Sequence, residues 1–203
     1  MKEKNMPRAA LALICVAVLV GCTTNATDGA FVAANAYASE PFPVRLINRS
    51  KFDKRFVPTD VANTTGEPAG TIVIDTANNF LYWIETPQTA RRYGIAVGAA
   101  GQDWHGVAAI ERKAKWPAWY PTDDMHARSP GLPGRIEPGP QNPLGARALY
   151  LYANGKDTLY RIHGTSEPWT IGTKASSGCI RMLNEDVIDL FDKAPVGTKV
   201  IVM

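Results

Sequence analysis

The chain has 203 residues, 45% of them apolar and 20% charged, with a formal net charge of +3. That length suits one domain with a core plus a tail, and the composition is that of an ordinary globular protein. Without the first 21 residues there are 19 basic and 18 acidic side chains, a balance that excludes the basic footprint of a nucleic-acid binder.

Residues 1–21 read as an export signal. Lys2, Lys4 and Arg8 form a basic front, and Ala9 to Val20 form an apolar run. The run is shorter than the ~20 residues a membrane span needs. Leu19-Val20-Gly21-Cys22 then resembles a bacterial lipobox, which implies cleavage before Cys22 and lipid attachment to it. Thr23 follows, which fits outer-membrane sorting better than an aspartate would. The alternative is ordinary secretion with cleavage elsewhere. Residues 22–65 form a tether and docking segment. Thr23 to Ser39 has no apolar period, whereas Pro41 to Pro58 carries Phe42, Val44, Leu46, Phe52 and Phe56, enough to dock on a domain. A coil of about 40 residues spans roughly 35 Å root-mean-square, which would hold a domain clear of a membrane.

From Gly70 the pattern becomes β. Thr71 to Asp75 and Phe80 to Ile84 flank a turn at Thr76 to Asn79. Arg92 to Val97 and Val107 to Lys115 are expected strands. Ala148 to Tyr152 and Thr158 to Ile162 flank Asn154-Gly155, a hairpin signal. One helix is expected: Asn184 as its cap, Glu185 and Asp186 at its positive end, and Val187, Leu190 and Phe191 on one face. Pro195 and Gly197 end it, and Thr198 to Val202 is a closing strand. Between Trp116 and Arg147 lies a long Pro- and Gly-rich loop of the kind that often walls a binding site. Trp116, Trp119, Tyr120 and Met125 are the residues for such a wall; the alternative is a loop held on the surface by aromatic anchors.

The chemistry gathers at Cys179. Of three cysteines, Cys15 and Cys22 lie at the N-terminus, so Cys179 has no partner for an internal disulfide. An exported lone thiol is a liability unless it has work to do. A cysteine nucleophile needs a base, oxyanion donors and access. His163 ends an expected strand and can return the base to the same spot. Gly178 lets the backbone turn sharply, and the N–H groups of Gly178 and Cys179 can face an oxyanion. Arg181 lies on the same side of an extended segment as Cys179 and offers a planar fork for a carboxylate. His105, His126, His163 and Cys179 lack the close paired spacing of a zinc site, so no metal or cofactor is expected.

These residues resemble a known family. His163-Gly164-Thr165, Ile171-Gly172 and Ser176-Ser177-Gly178-Cys179-Ile180-Arg181-Met182 are similar to the signature of L,D-transpeptidases, the YkuD-type catalytic domain. The likeness runs from about residue 66 to 203 and includes Asn142 to Arg147 and Asn184. It implies a mostly β fold, a two-sheet sandwich with one short C-terminal helix. It also implies a reaction on peptidoglycan stem peptides. The Cys179 thiolate attacks the carbonyl at the L-centre of residue three of a tetrapeptide and D-alanine leaves. The thioester then passes to the amine of a second stem, giving a 3→3 cross-link, or to a lysine of an envelope protein. In that scheme His163 is the base and the Gly164 carbonyl orients it. Gly178 and Cys179 supply the oxyanion hole. Arg181, Ser176, Ser177, Trp119 and Tyr120 contact substrate. The location implied is the periplasm, anchored by lipid. One departure is His105, where relatives tend to have a small residue, read as an exposed strand-end histidine. The other readings are a sortase-like enzyme, which the absent Thr-Leu-x-Thr-Cys strand disfavours, and a cysteine-first Cys/His peptidase, disfavoured by the order of residues. An L,D-carboxypeptidase and a non-catalytic peptidoglycan-binding lipoprotein complete the alternatives.

Overall fold

In a computed structural model the described residues are 32, 33, 35–98, 104–174 and 179–203. The export signal and Cys22 therefore lie outside them, as do Ser176, Ser177 and Gly178. The expected strands form, with shifts at their ends: β4 is Ile72–Asp75, β5 Phe80–Ile84, β6 Thr89–Gly94, β7 Ala96–Val97, β8 Gly106–Lys115, β9 Arg147–Ala153, β10 Lys156–His163 and β12 Lys199–Val202. The Asn154-Gly155 turn joins β9 to β10 with φ of 52° and 71°, the two positive values that a tight hairpin requires. Short pieces without a clear period also appear: β1 Val32–Ala33, β2 Arg45–Leu46, β3 Thr59–Ala62 and β11 Ile180–Arg181.

Ten of these strands are hydrogen-bonded in the series β3-β6-β5-β4-β12-β8-β9-β10-β11-β7. Only Ile95 separates β6 from β7, yet they stand near opposite ends of the series. The sheet must therefore curl until its ends nearly meet, and its two halves face each other as the two expected layers. Ile72, Ile74 and Leu81 from one half share a core with Leu149, Ile162 and Ile180 from the other. Helix α2 (Asn184–Lys193) adds Val187, Leu190 and Phe191 to that core.

A short helix, α1 (Asp123–Arg128), interrupts the long loop. The Thr122 hydroxyl accepts from Met125 N–H at 3.3 Å, and Asp123 and Asp124 occupy its first turn. Thr-Asp-Asp is a readable start signal that the Pro/Gly density of the loop obscured. The loop is also tied down by Asn142, which is 1% exposed. Its Nδ2 donates to the carbonyls of Ile136 and Glu137, and its Oδ1 accepts from Leu144 N–H at 2.8 Å.

The docking segment is clamped at two ionic points. The buried Arg147 guanidinium is paired with both carboxylate oxygens of Glu40, one at 2.8 Å. Trp116 Nε1 donates to the same carboxylate at 2.7 Å. Arg49 reaches Asp186 at 2.5 Å and Glu185 at 3.0 Å on the first turn of α2. Between the clamps, Val44 is buried and Phe42 packs against Trp116 with ring centroids 5.1 Å apart. Trp116 is therefore an anchor for this strap, which corrects its expected place in a substrate wall.

Breaking a buried ion pair from one side leaves an uncompensated charge and typically costs ~3–5 kcal/mol. Glu40→Ala is expected to destabilise the fold by about that much, read by urea unfolding. The Arg147 hydrogen bond holds the Glu40 carboxyl below its ordinary range. Its contribution is therefore complete above the unfolded value of 4.5 and lost as pH falls through the lower folded value. The stability gap between wild type and variant should narrow over that acid window and stay constant above it.

Candidate active site

Strands β10 and β11 run parallel, with Ile162 opposite Ile180 and His163 opposite Arg181. Side chains alternate along a strand, and partners in register share a face. Ile162 and Ile180 point into the core, at 0% and 1% exposure. His163, Arg181, Cys179 and Arg161 consequently stand on the opposite face. The register extended by one residue sets Cys179 beside Arg161. Gly98 N–H donates to the Cys179 carbonyl at 3.3 Å, so the pairing with β7 also runs past the thiol.

His163 is 4% exposed, and its Nδ1 lies 2.6 Å from the Gly164 carbonyl oxygen. A carbonyl only accepts, so Nδ1 carries the proton and Nε2 is left with a lone pair. The expected orienting role of Gly164 thus has its geometry. Burial pushes the imidazole pKa down to about 4. The Gly164 carbonyl opposes this, while the nearby charges of Arg181 and Arg161 reinforce it.

The thiol is half-buried, and its Sγ lies 4.0 Å from the Leu159 carbonyl. Burial raises its pKa above the ordinary thiol value. The Arg161 backbone N–H and the charges of Arg161 and Arg181 pull the other way. Burial thus shifts both groups toward their neutral forms.

Leu159 owes its position to a bulge between Asp157 and Arg161, where the register with β9 shifts. Its φ is 62°, a left-handed conformation that costs a non-glycine residue ~1–2 kcal/mol. Side chains on either side hold it there. Asp157 Oδ1 accepts from Leu159 N–H at 2.8 Å, and Thr158 Oγ1 accepts from Tyr160 N–H at 3.2 Å. Bulges of this kind re-aim groups next to active sites.

Sequence reasoning missed Arg161, the Tyr150 ring and Arg112 that stack with it, and Glu167. Arg161 is held by both oxygens of Asp157, at 2.7 and 2.8 Å. Its guanidinium carbon lies 4.6 Å from the Tyr150 ring centroid, and Arg112 approaches the same ring at 3.6 Å. Arg112, Tyr150 and Arg161 are partners across β8, β9 and β10, so the row ends at the thiol. Arg161 stands two residues before His163, a spacing from which its face was readable. Glu167 Oε2 accepts from Arg181 Nη1 at 2.8 Å. Arg181 is therefore partly engaged already.

Asn184 begins α2 but does not cap it; Leu183 is the N-cap residue. The Asn184 side chain joins two loops instead. Its Oδ1 accepts from Ala146 N–H at 2.9 Å and Thr165 N–H at 3.3 Å, and its Nδ2 donates to the Thr165 carbonyl at 2.9 Å. Gly145 and Gly164 must both be glycine for this: a Cβ on either would run into Asn184 Oδ1. Gly164 N–H also donates to the Arg147 carbonyl at 3.0 Å. The peptide that orients His163 is thus fixed from both sides.

Trp119 is bridged to Ile136 and half-buried, and Tyr120 is 63% exposed. Among the described contacts neither touches His163, Cys179 or Arg181. His105 is exposed, as its position at the start of β8 suggested.

The L,D-transpeptidase catalytic domain model matches residues 69–202. A putative L,D-transpeptidase of Fuscovulum blasticum, from its ATP synthase subunits region, is 34% identical over 174 residues, covering 85% of this chain and 88% of that one. The probable L,D-transpeptidase YbiS of Escherichia coli K12 is 41% identical over 136 residues. That match takes in 64% of this chain and 43% of YbiS, so the chain spans less than half of that relative's length. A Brucella melitensis structure is 52% identical with a TM-score of 0.53, covering 77% of this chain and 99% of that one. Its name, a probable carnitine operon oxidoreductase, speaks of that protein. The extent of the family match, on a mostly β frame that sets Cys179, His163 and Arg181 on one face, shows that the chain belongs to the L,D-transpeptidase catalytic-domain family.

Proposed function

We propose that the chain is an exported, lipid-anchored cysteine L,D-transpeptidase of peptidoglycan. The observation that supports this reading is the parallel β10–β11 register, with His163 opposite Arg181, two residues after Cys179. His163 Nε2 takes the thiol proton as Sγ attacks the L-centre carbonyl of residue three. The C–N bond to D-alanine breaks, the amine leaves with that proton, and a thioester remains on Cys179. An acceptor amine then resolves it. Arg161 and Arg181 favour the thiolate that forms and keep the imidazole neutral until it is needed. The N–H groups of Gly178 and Cys179 receive the oxyanion, with Ser176 and Ser177 beside the substrate. Trp119 and Tyr120 form the outer wall. Residues 1–21 direct export to the periplasm, Cys22 carries lipid at the outer membrane, and residues 22–65 tether residues 66–203 to it.

Mass spectrometry of muropeptides after incubation with purified tetrapeptide stems tests the reaction. Cross-linked dimers and released D-alanine are expected. Tripeptides without dimers would show water as the acceptor, and intact tetrapeptides would leave a binding lipoprotein. Cys179→Ser should abolish transfer, and a carbapenem should add one drug mass to wild type and none to this variant. His163→Ala should lower transfer about 100- to 10,000-fold, the range for a general base.

The electrostatics make a separate prediction. Alkylation of Cys179 by iodoacetamide should rise with pH through a single midpoint above the ordinary thiol range. Arg161→Gln removes a charge that favours thiolate, so the midpoint should move higher still. A reactive plateau from about pH 5 upward would show a preformed thiolate–imidazolium pair instead.

A further inference from the structure

The ion pair between Arg181 and Glu167 stands at the mouth of the site. Arg181 side-chain exposure is 16% and Glu167 exposure is 49%. A pair this open contributes at most ~1 kcal/mol to stability, so the fold does not depend on it. Glu167 is nevertheless held in place. Its N–H donates to Thr165 Oγ1 at 2.9 Å, and its carbonyl accepts from Thr170 N–H at 3.1 Å and Thr170 Oγ1 at 2.7 Å. Thr165 is itself fastened by Asn184. The loop is rigid while its carboxylate faces outward beside a guanidinium.

Arg181 follows Cys179 by two residues on one face, about 6.6 Å along the strand. A guanidinium has five N–H donors, and Glu167 is bonded to Nη1 alone in this structure. The rest of the fork can take a second carboxylate. A positive and a negative group in contact, two residues along the strand from Cys179, match a ligand with an ammonium and a carboxylate on the same carbon. We propose that Arg181 and Glu167 form a receptor for the α-amino-acid head of the acyl acceptor, with its carboxylate on Arg181 and its amine on Glu167.

This rests on the transpeptidase reading and narrows its acceptor. The D-centre of a stem diamino acid, or a free D-amino acid, presents both groups. A lysine side chain presents only the amine. Held by Glu167, the ammonium loses one proton to solvent and a second to His163 as its nitrogen bonds to the thioester carbon. The C–S bond breaks, and Cys179 leaves as thiolate and takes the proton from His163. Glu167 orients the amine in both its charged and neutral forms, since each has an N–H to donate.

The experiment separates thioester formation from transfer in the full-length chain. Thioester is read by intact mass with tetrapeptide, and transfer by exchange of D-alanine for D-methionine or D-methioninamide. Wild type should prefer D-methionine, because the amide has no carboxylate for Arg181. Glu167→Gln should lower transfer to D-methionine about tenfold to a hundredfold more than it lowers thioester formation, the size of one charge-assisted hydrogen bond. The loss should appear in the acceptor KM, and Glu167→Asp should restore part of it. Equal losses in the two steps, in a variant that melts like wild type, would assign Glu167 to loop shape and overturn the proposal. Faster transfer would overturn it too, by making Glu167 a competitor of the substrate carboxylate. Failure of the wild type to form any thioester would defeat the transpeptidase reading, and this proposal with it.

Discussion

The site depends on the carboxamide of Asn184. Three hydrogen bonds from one side chain fasten the Gly145-Ala146 turn and the Gly164-Thr165 turn to the start of α2. Both glycines are there because the amide oxygen leaves no room for a Cβ. The Gly164 carbonyl is thereby fixed, and with it the tautomer and aim of His163. Thr165 then holds the turn that displays Glu167. An acidic third residue is replaced by a peptide carbonyl, which orients the imidazole without adding a charge. That suits a ring that burial keeps neutral.

Charge in the site is arranged on the sulfur side. Burial opposes ionisation of Cys179, and two guanidiniums oppose burial. Arg161 is not mobile in this role, because Asp157 grips its fork and Tyr150 lies under it. Oxidants attack the thiolate, so burial that raises the Cys179 pKa slows that reaction. On the export reading this answers how a cysteine without a disulfide partner endures in an oxidising compartment.

What could be read from the sequence was local. The β hairpins and the helix from Asn184 each rest on neighbours within a few residues, and they are present. The strap shows the limit. Phe42 and Val44 signalled docking, but Glu40–Arg147 and Arg49–Asp186 join residues 107 and 137 positions apart, and ion pairs at such range leave no period. Asn184 looked like a cap because its residue type fits both roles. Trp116 looked like part of a wall until Glu40 claimed its indole N–H. The two-residue β11 and the bulge at Leu159 are products of sheet pairing, and neither has a pattern of its own to find.

The place of β12 has a consequence for how the chain comes to be folded. The last strand in sequence is the middle of the sheet, parallel to β4 on one side and antiparallel to β8 on the other. Residues 199–202 supply one of the two joins between the halves; the other is the chain passing from β6 through Ile95 to β7, which pairs with β11. Pairings this distant in sequence close slowly. Hairpins, whose strands are neighbours in sequence, can form before this central strand is paired. Loss of residues 199–202 would therefore remove a central strand paired on both edges rather than fray an outer one.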